Sequence, residues 1–364
     1  MLFTFHPHAD YLAHQAGIDA AIRRVLDSGH HILGPEVAAF ESEFAAEIGA
    51  AHCVGVANGT DAVHLALRAC GIGAGDFVAT VSHTAVATVA AIELAGATPL
   101  LLDIEPVTFT IDPAKLETAL TEHPGVKALV LVHLYGHPAS MDCVEIARRH
   151  GLRIIEDCAQ SHGAALDGCT TGTWADAAAF SFYPTKNLAA IGDGGAVVTG
   201  DEHIATQLRE LRQYGWKQRY ISDTTGMNSR LDELQAAILR VKLRTLSQNN
   251  QRRRELAAIY SKGLAGTPFI TPVTRPGATH VFHQYVIRAR NRDALLATLT
   301  QRGIPAAIHY PQPVHTQPAY AGRIPHGDLS ATEQACREIL SLPLHPHLGE
   351  EAVRHVITTL LELA

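Results

Sequence analysis

The chain has 364 residues, of which 47% are hydrophobic and 18% charged, enough apolar material for a sizeable core and enough length for two domains. A formal net charge of -7 with no Lys/Arg-rich block argues against nucleic acid or an anionic membrane as partner. No apolar run approaches the roughly 18 residues of a membrane span, and residues 1–10 have neither the basic start nor the apolar core of a secretory signal. Six cysteines without a Cys-x-x-Cys pair fit reduced, mostly buried thiols, so a cytoplasmic protein is expected. The 22 histidines include close pairs such as His6/His8, His30/His31 and His345/His347. No His-Glu-x-x-His or Cys/His cluster accompanies them, and no metal is expected.

In chain order, residues 11–28 and 36–48 carry amphipathic helical patterns that stop at Ser28-Gly29 and at Gly49. An apolar run at 53–57 leads through Asn58-Gly59-Thr60-Asp61 into a helical pattern at 62–69. Strand candidates then alternate with helical ones: strand 77–81, helix 84–95, strand 99–103, helix 113–122, strand 128–133, helix 141–150, strand 153–156. This alternation predicts an α/β fold with a mainly parallel sheet and helices on both faces. Residues 177–182 form an uninterrupted run of small and apolar residues, read as a strand covered on both faces, and 196–199 read as another. Helical patterns come next at 202–214 and, unusually long, at 230–246. After Gln248 the composition turns polar over 249–254, and Pro268, Pro272 and Pro276 punctuate the stretch beyond it. A large domain over residues 1–248 and a small α+β domain over 249–364 are therefore expected. There is no internal repeat and no low-complexity tract.

Three features of the large domain belong to one chemistry. Lys186, in Ser181-Phe182-Tyr183-Pro184-Thr185-Lys186-Asn187-Leu188, sits just past a buried strand that Pro184 ends, in a bend before Gly192-Asp193-Gly194-Gly195. A lysine reaching solvent from a loop is the ordinary alternative. Asp157 arrives at the C-terminal end of another buried strand, where open α/β sheets bind ligands. Asn58-Gly59-Thr60 opens a helix whose free backbone amides would face an anion. A Schiff-base lysine, an acid to hold a pyridinium nitrogen and a phosphate cradle make up the minimal apparatus of pyridoxal phosphate (PLP) chemistry.

These residues, with Glu156-Asp157-Cys158-Ala159-Gln160, residues 226–237 and Ser341-Leu342-Pro343-Leu344, resemble the DegT/DnrJ/EryC1/StrS sugar aminotransferases over nearly the whole chain. The resemblance implies the type I PLP-dependent (aspartate aminotransferase-like) fold. Carried over residue by residue, it makes Lys186 the Schiff-base lysine, Asp157 the partner of the pyridine nitrogen and Gln160 a contact to the ring hydroxyl. It gives the phosphate to Gly59, Thr60 and Ser181, and to Asn228 from a neighbouring subunit, hence a homodimer with shared active sites. The aromatic residue that many members stack on the cofactor ring is not evident in residues 82–88, so His83 or an aliphatic face is expected to cover it. Within the family, the chain looks most like members acting on dTDP-linked 3-keto sugars. That likeness suggests Tyr183, Arg219, His309 and Tyr310 as sugar contacts; for His309 and Tyr310 a packing loop is an equal alternative. The implied reaction moves an amino group from L-glutamate to a nucleotide-linked keto-deoxysugar. Rival readings are C-4 rather than C-3 amination, an amino-acid transaminase, a PLP-dependent dehydratase, against which Lys186 stands because such relatives carry histidine there, and a non-catalytic PLP-binding regulatory protein.

Overall fold

The computed structural model describes residues 2–364. Seven strands build the central sheet: β1 (His52–Val56), β2 (Phe77–Val81), β3 (Thr98–Leu102), β4 (Val126–Val132), β5 (Arg153–Asp157), β6 (Ala177–Ser181) and β7 (Gly195–Thr199). Their spatial order is β1-β7-β6-β5-β4-β2-β3. The pairs from β6 to β3 are parallel, and β7 runs antiparallel to both of its neighbours. Because β7 is the reversed strand, β1 points the same way as β6. The chain leaving β1, β2, β4, β5 and β6 therefore emerges along one edge, where open sheets present ligand sites.

Every strand is apolar on both faces, and the alternation shows where each side chain goes. Val54, Val56, Val78, Ala128, Val130, Ile155, Ala177, Ala179 and Val197 share one core with α3 (Gly59–Ala69) and α7 (Glu202–Leu211). The alternate residues of the same strands face the other way. Ala79, Leu129, Leu131 and Ile154 meet α5 (Pro113–Glu122) and α6 (Met141–Arg149), while Cys53, Ala178, Phe180, Ala196 and Val198 meet α2 (Pro35–Ile48) and α8 (Glu233–Leu243). A period of two in a sheet covered on both sides gives continuous apolar runs, as read from the sequence. Phe44 meets Phe180 edge-on at 5.0 Å and Phe40 meets Phe182 at 5.3 Å, locking α2 against β6.

Helix boundaries follow local chemistry. α1 (Pro7–Ser28) begins four residues before the pattern suggests, because Pro7 starts it and His6 Nδ1 accepts from the Ala9 amide at 3.0 Å. Gly29 and Gly49 close α1 and α2 with φ of 67° and 87°. The long helix expected at 230–246 is two helices, α8 and α9 (Leu246–Gly263), broken at Arg244-Thr245. The polar stretch 249–254, read as the start of a new domain, lies inside α9. Asn250 and Arg253, one turn apart, are buried there: Asn250 Nδ2 donates to the His162 carbonyl at 2.7 Å and Arg253 donates to the Leu344 carbonyl at 3.1 Å.

Beyond α9, an antiparallel pair, β8 (Tyr285–Arg288) with β9 (Ile339–Leu342), packs with α9, α10 (Arg292–Gln301) and α12 (Glu350–Leu361) around Leu256, Tyr260, Ile287, Leu299, Leu340 and Val356. α11 (Ser330–Glu338) leads directly into β9. All six cysteines are free, and all but the exposed Cys169 are buried, as expected of mostly buried thiols. Among the described residues no helix is long and apolar enough to cross a membrane.

Candidate active site

A cavity of about 520 Å³ opens at the C-terminal edge of the sheet, lined by Asn58, Gly59, Thr60, Asp157, Gln160, Ser181, Tyr183 and Lys186 among others. Residues distant in sequence meet here because Val56, Gly195 and Ser181 lie side by side in adjoining strands. Asn58 caps α3, its Oδ1 accepting the Asp61 amide at 2.9 Å. The preceding amides of Gly59 and Thr60 have no acceptor among the described residues. Glycine is required at 59 by space rather than by φ: a Cβ there would stand 2.6 Å from Ser181 Cβ. At 195 it would stand 2.4 Å from the Asn58 carbonyl oxygen. The result is a small concavity of amides and hydroxyls at a helix N-terminus, which fits a phosphate dianion.

Lys186 lies in a turn after β6, its amide donating to the Tyr183 carbonyl at 2.8 Å. The next residue is pinned: Asn187 Nδ2 donates to Asn250 Oδ1 at 2.8 Å and to the Val281 carbonyl at 3.1 Å, and its Oδ1 accepts from His283 Nδ1 at 3.2 Å. Burial pulls the Lys186 ammonium down to about 8, opposed by the Asp157 carboxylate. A lysine so placed holds a substantial neutral fraction near neutral pH, as imine formation demands.

Asp157 is 7% exposed and its orientation is fixed at both oxygens. Oδ1 accepts the Ala159 amide at 3.1 Å and Oδ2 accepts the Thr88 hydroxyl at 2.8 Å. Thr84 lies 3.0 Å from Thr88; since the Thr88 proton goes to Asp157, Thr84 is the donor. Gln160 is held at both ends, Oε1 accepting the Tyr135 amide at 2.7 Å and Nε2 donating to the Tyr310 hydroxyl at 3.1 Å. Burial and then Asp157 push the Tyr310 phenol up to about 12, and burial and then Lys186 pull His309 down to about 4. Both are neutral hydrogen-bonding groups at physiological pH. His309 Nδ1 lies 2.9 Å from Ser341 Oγ on β9, so the 309–310 segment carries the C-terminal layer to the cavity.

Neither His309 nor Tyr310 is among the residues lining the cavity, Tyr310 meeting its wall through Gln160, and three further expected residues stand elsewhere. His83 does not face the cavity: it is 1% exposed, between Tyr135 and Cys336, and Thr84, Ala85, Ala87 and Thr88 line the wall instead. The side chain following β2 at this position points behind the wall, and the aliphatic and hydroxyl face of α4 (Val86–Leu94) and its approach lines the cavity there. Arg219 is exposed on the hairpin over 216–222 and sits over the Tyr220 ring at 4.9 Å, outside the cavity lining. Asn228 is also exposed and accepts from Arg230 Nε at 2.7 Å. Its neighbour Ser229 is buried, donating to Asp61 at 2.6 Å and accepting the Ala57 amide at 3.0 Å.

Thr88 and Tyr135 escaped the sequence reading. The only available sign for Thr88 was its spacing of four from Thr84 in an otherwise alanine- and valine-rich stretch. Tyr135 offered none; its φ of 59° is a feature of the folded chain. Among the described residues one group of three metal-ligand types occurs, His133, Glu156 and Cys158. Its carboxylate is engaged by His133 Nε2 at 3.0 Å and by the amides of Gly172 at 2.7 Å and Trp174 at 2.8 Å, which makes it a buried brace between β4, β5 and the 172–174 turn.

A mainly parallel sheet with a lysine, a carboxylate and an anion cradle gathered at its C-terminal edge defines a PLP-dependent transferase of the aspartate aminotransferase class. The comparisons narrow this. The signature of the DegT/DnrJ/EryC1/StrS aminotransferase family matches residues 13–361, and the chain belongs to that family. It is 51% identical over 359 residues to the dTDP-3-amino-3,4,6-trideoxy-alpha-D-glucose transaminase of Streptomyces venezuelae, covering 98% of this chain and 94% of that one. It is 51% identical over 355 residues to the erythromycin biosynthesis sensory transduction protein EryC1 of Saccharopolyspora erythraea, covering 97% and 96%. The crystal structure of DesV from S. venezuelae superposes with a TM-score of 0.96 at 49% identity, covering 100% of this chain and 98% of that one. The chain is an aminotransferase, and its family depends on PLP.

Proposed function

We propose that this aminotransferase moves an amino group from L-glutamate to the keto carbon of a nucleotide-linked deoxysugar, with a dTDP-linked 3-keto-6-deoxyhexose as acceptor. The observation carrying this reading is the cavity that joins Lys186, Asp157 and the 59–60 cradle, in a chain half-identical to a dTDP-aminosugar transaminase along its whole length. When bound, PLP supplies the electron sink that makes the donor's Cα proton acidic. The chain's own residues do the rest. Gly59, Thr60 and Ser181 anchor the phosphate, Asp157 holds the pyridine nitrogen protonated, and Gln160 meets the ring hydroxyl. Lys186 Nζ, neutral once released, would carry the proton from the donor's Cα to the cofactor's aldehyde carbon, and carry one back the other way when the ketosugar is aminated. Tyr183, His309 and Tyr310 lie toward the sugar.

The same reading makes the protein a cytoplasmic homodimer. Arg219 and Asn228 are exposed, and the adjoining hairpin displays Tyr220 and Ile221, 72% and 53% exposed, a surface suited to a second copy. In a shared site, Lys186→Ala and Asn228→Asp chains, each inactive alone, regain activity when co-expressed, because one site of the mixed dimer collects both defects and the other neither. A mixture that stays inactive rejects the shared site.

Product analysis with dTDP- and UDP-linked 3-keto and 4-keto sugars, each offered with glutamate, tests acceptor and position together. Amination of the dTDP-linked 3-keto sugar alone supports the proposal; a 4-amino product moves the chain to C-4 chemistry. The likeness to EryC1, named a sensory transduction protein, raises a sensory role as a second reading. A PLP absorption band that glutamate fails to convert to a pyridoxamine band would support that second reading.

A further inference from the structure

His83 has no place in the chemistry above, yet it is buried between the cavity wall and the C-terminal layer. Its Nε2 lies 2.8 Å from the Tyr135 hydroxyl and its Nδ1 lies 3.4 Å from Cys336 Sγ. The directions of these bonds come from proton counting. The Tyr135 hydroxyl donates its single proton to the His309 carbonyl, so His83 Nε2–H must donate to the Tyr135 oxygen. Nδ1 is then the bare nitrogen and accepts the Cys336 thiol proton. Burial, which pulls His83 down to about 4, keeps this single-proton ring neutral at physiological pH.

Cys336, His83, Tyr135 and the His309 carbonyl thus form one directed chain. It starts in α11, passes behind β2 and the turn after β4, and ends on the segment that carries Tyr310. Tyr135 also joins it to the cavity wall through its amide, which holds Gln160 Oε1, and Gln160 Nε2 in turn holds the Tyr310 hydroxyl. The aromatic contacts support the same geometry: His83 meets Tyr135 edge-on at 5.9 Å, and Phe109 packs beside both rings.

We infer that His83 is a positioning residue: acting through the Tyr135 hydroxyl, it holds the 309–310 segment so that Tyr310 stands against Gln160 at the cavity wall. Its consequence for the acceptor sugar rests on the reading of His309 and Tyr310 as sugar contacts. Removing the Nε2 donor leaves Tyr135 free to turn away from the His309 carbonyl, so ketosugar binding weakens while the lysine and phosphate ends of the cavity keep their own supports.

The experiment is a double-mutant cycle on the holoenzyme with two readouts, ketosugar KM and hydrogen exchange of the 308–310 amides. His83→Leu is expected to raise the ketosugar KM about tenfold, the scale of one buried hydrogen bond, and to speed exchange at 308–310 by a similar factor. Tyr135→Phe should do the same, and the double variant should be no worse than Tyr135→Phe alone. His83→Gln, whose amide N–H can replace Nε2–H, should recover most of the loss. Should His83→Leu fail to fold, His83→Asn serves in its place, because its shorter amide reaches toward Cys336 but not Tyr135. Unchanged exchange at 308–310, or additive effects in the cycle, overturns the inference. Faster exchange and a non-additive cycle with unchanged KM uphold the positioning role and instead reject Tyr310 as a sugar contact.

Discussion

Two regions carry the residues that matter, and they are built on opposite plans. The inner one, Gly59, Thr60, Asp157, Gln160, Ser181 and Lys186, sits at strand ends and a helix start, braced by bonds within the chain. The outer one, Arg219, Tyr220 and Asn228, lies on an exposed hairpin and the segment after it, tied mainly to its own neighbours. A residue at the end of a buried strand inherits its position from the sheet, which cannot shift without exposing a core. A residue on a hairpin surface takes its functional position from whatever docks there. Substitutions in the inner region should therefore have large and specific effects, and those on the exposed hairpin small ones confined to the acceptor, whereas Asn228→Asp inactivates only by reaching an inner region across the shared site.

The largest expected effect is that of Lys186→Ala, which should abolish turnover while PLP remains bound non-covalently. Steady-state assays with absorption spectra after dialysis measure both, and normal multiple turnover would remove Lys186 from the centre of the site. Asp157→Asn should slow the glutamate half-reaction by about a thousandfold, since a neutral amide does not hold the pyridine nitrogen protonated. Stopped-flow spectra read this directly; an unchanged rate would make Asp157 a bracket for Thr88 and Ala159 only.

The pH dependence of PLP attachment to the apoprotein comes next. Lys186 attacks as the neutral amine, and its conjugate acid has been pulled from 10.5 to about 8, so attachment should accelerate as pH rises. Between pH 6 and 8 the neutral fraction grows about fiftyfold and then levels off. A rate still climbing tenfold per unit from pH 9 to 10 would show that Lys186 keeps an ordinary pKa.

Gly59→Ala probes the cradle by sterics alone. Its methyl would press on Ser181 Cβ at 2.6 Å, and PLP affinity should fall about tenfold, while Ser181→Gly should lower it separately by removing a hydroxyl from the cradle. Equal affinity across the series, by equilibrium dialysis, would separate the cradle from the phosphate. The smallest effect belongs to the outer region. Arg219→Ala should raise the ketosugar KM only a few-fold and leave the glutamate half-reaction untouched. Equal loss in both half-reactions would erase the contrast between the two regions.

Much of the inner region was legible because several physical signals coincided at each residue. Helix α5 was bounded correctly at 113 and 122, with Pro113 at its first position and Asp112 accepting the Ala114 amide. Lys186 stood out by contrast with the Ala177–Ser181 strand before it, and Asp157 by closing the apolar run of β5. Where one signal stood alone, it left the local structure open. Polar residues 249–254 read as the start of a second domain, and composition does not reveal that Asn250 and Arg253 bond distant carbonyls from inside a helix. Residues 82–88 left His83 and an aliphatic face as alternative ring covers, because sequence does not say which way the chain turns once it leaves the sheet.

The sequence by itself determined the alternating elements, the two-faced apolar sheet, the helix start at Asn58-Gly59 and the placing of Lys186 and Asp157 at strand ends. Each rests on periodicity, capping or residue chemistry within a few positions. Only the tertiary structure decided that β7 runs against its neighbours, that α8 and α9 are separate, and that Thr88 orients Asp157. It alone joined Cys336, His83, Tyr135 and His309 into one hydrogen-bonded chain. Those are contacts between residues from tens to more than 200 positions apart, set by how whole elements pack, and no local pattern encodes the direction in which a buried donor points.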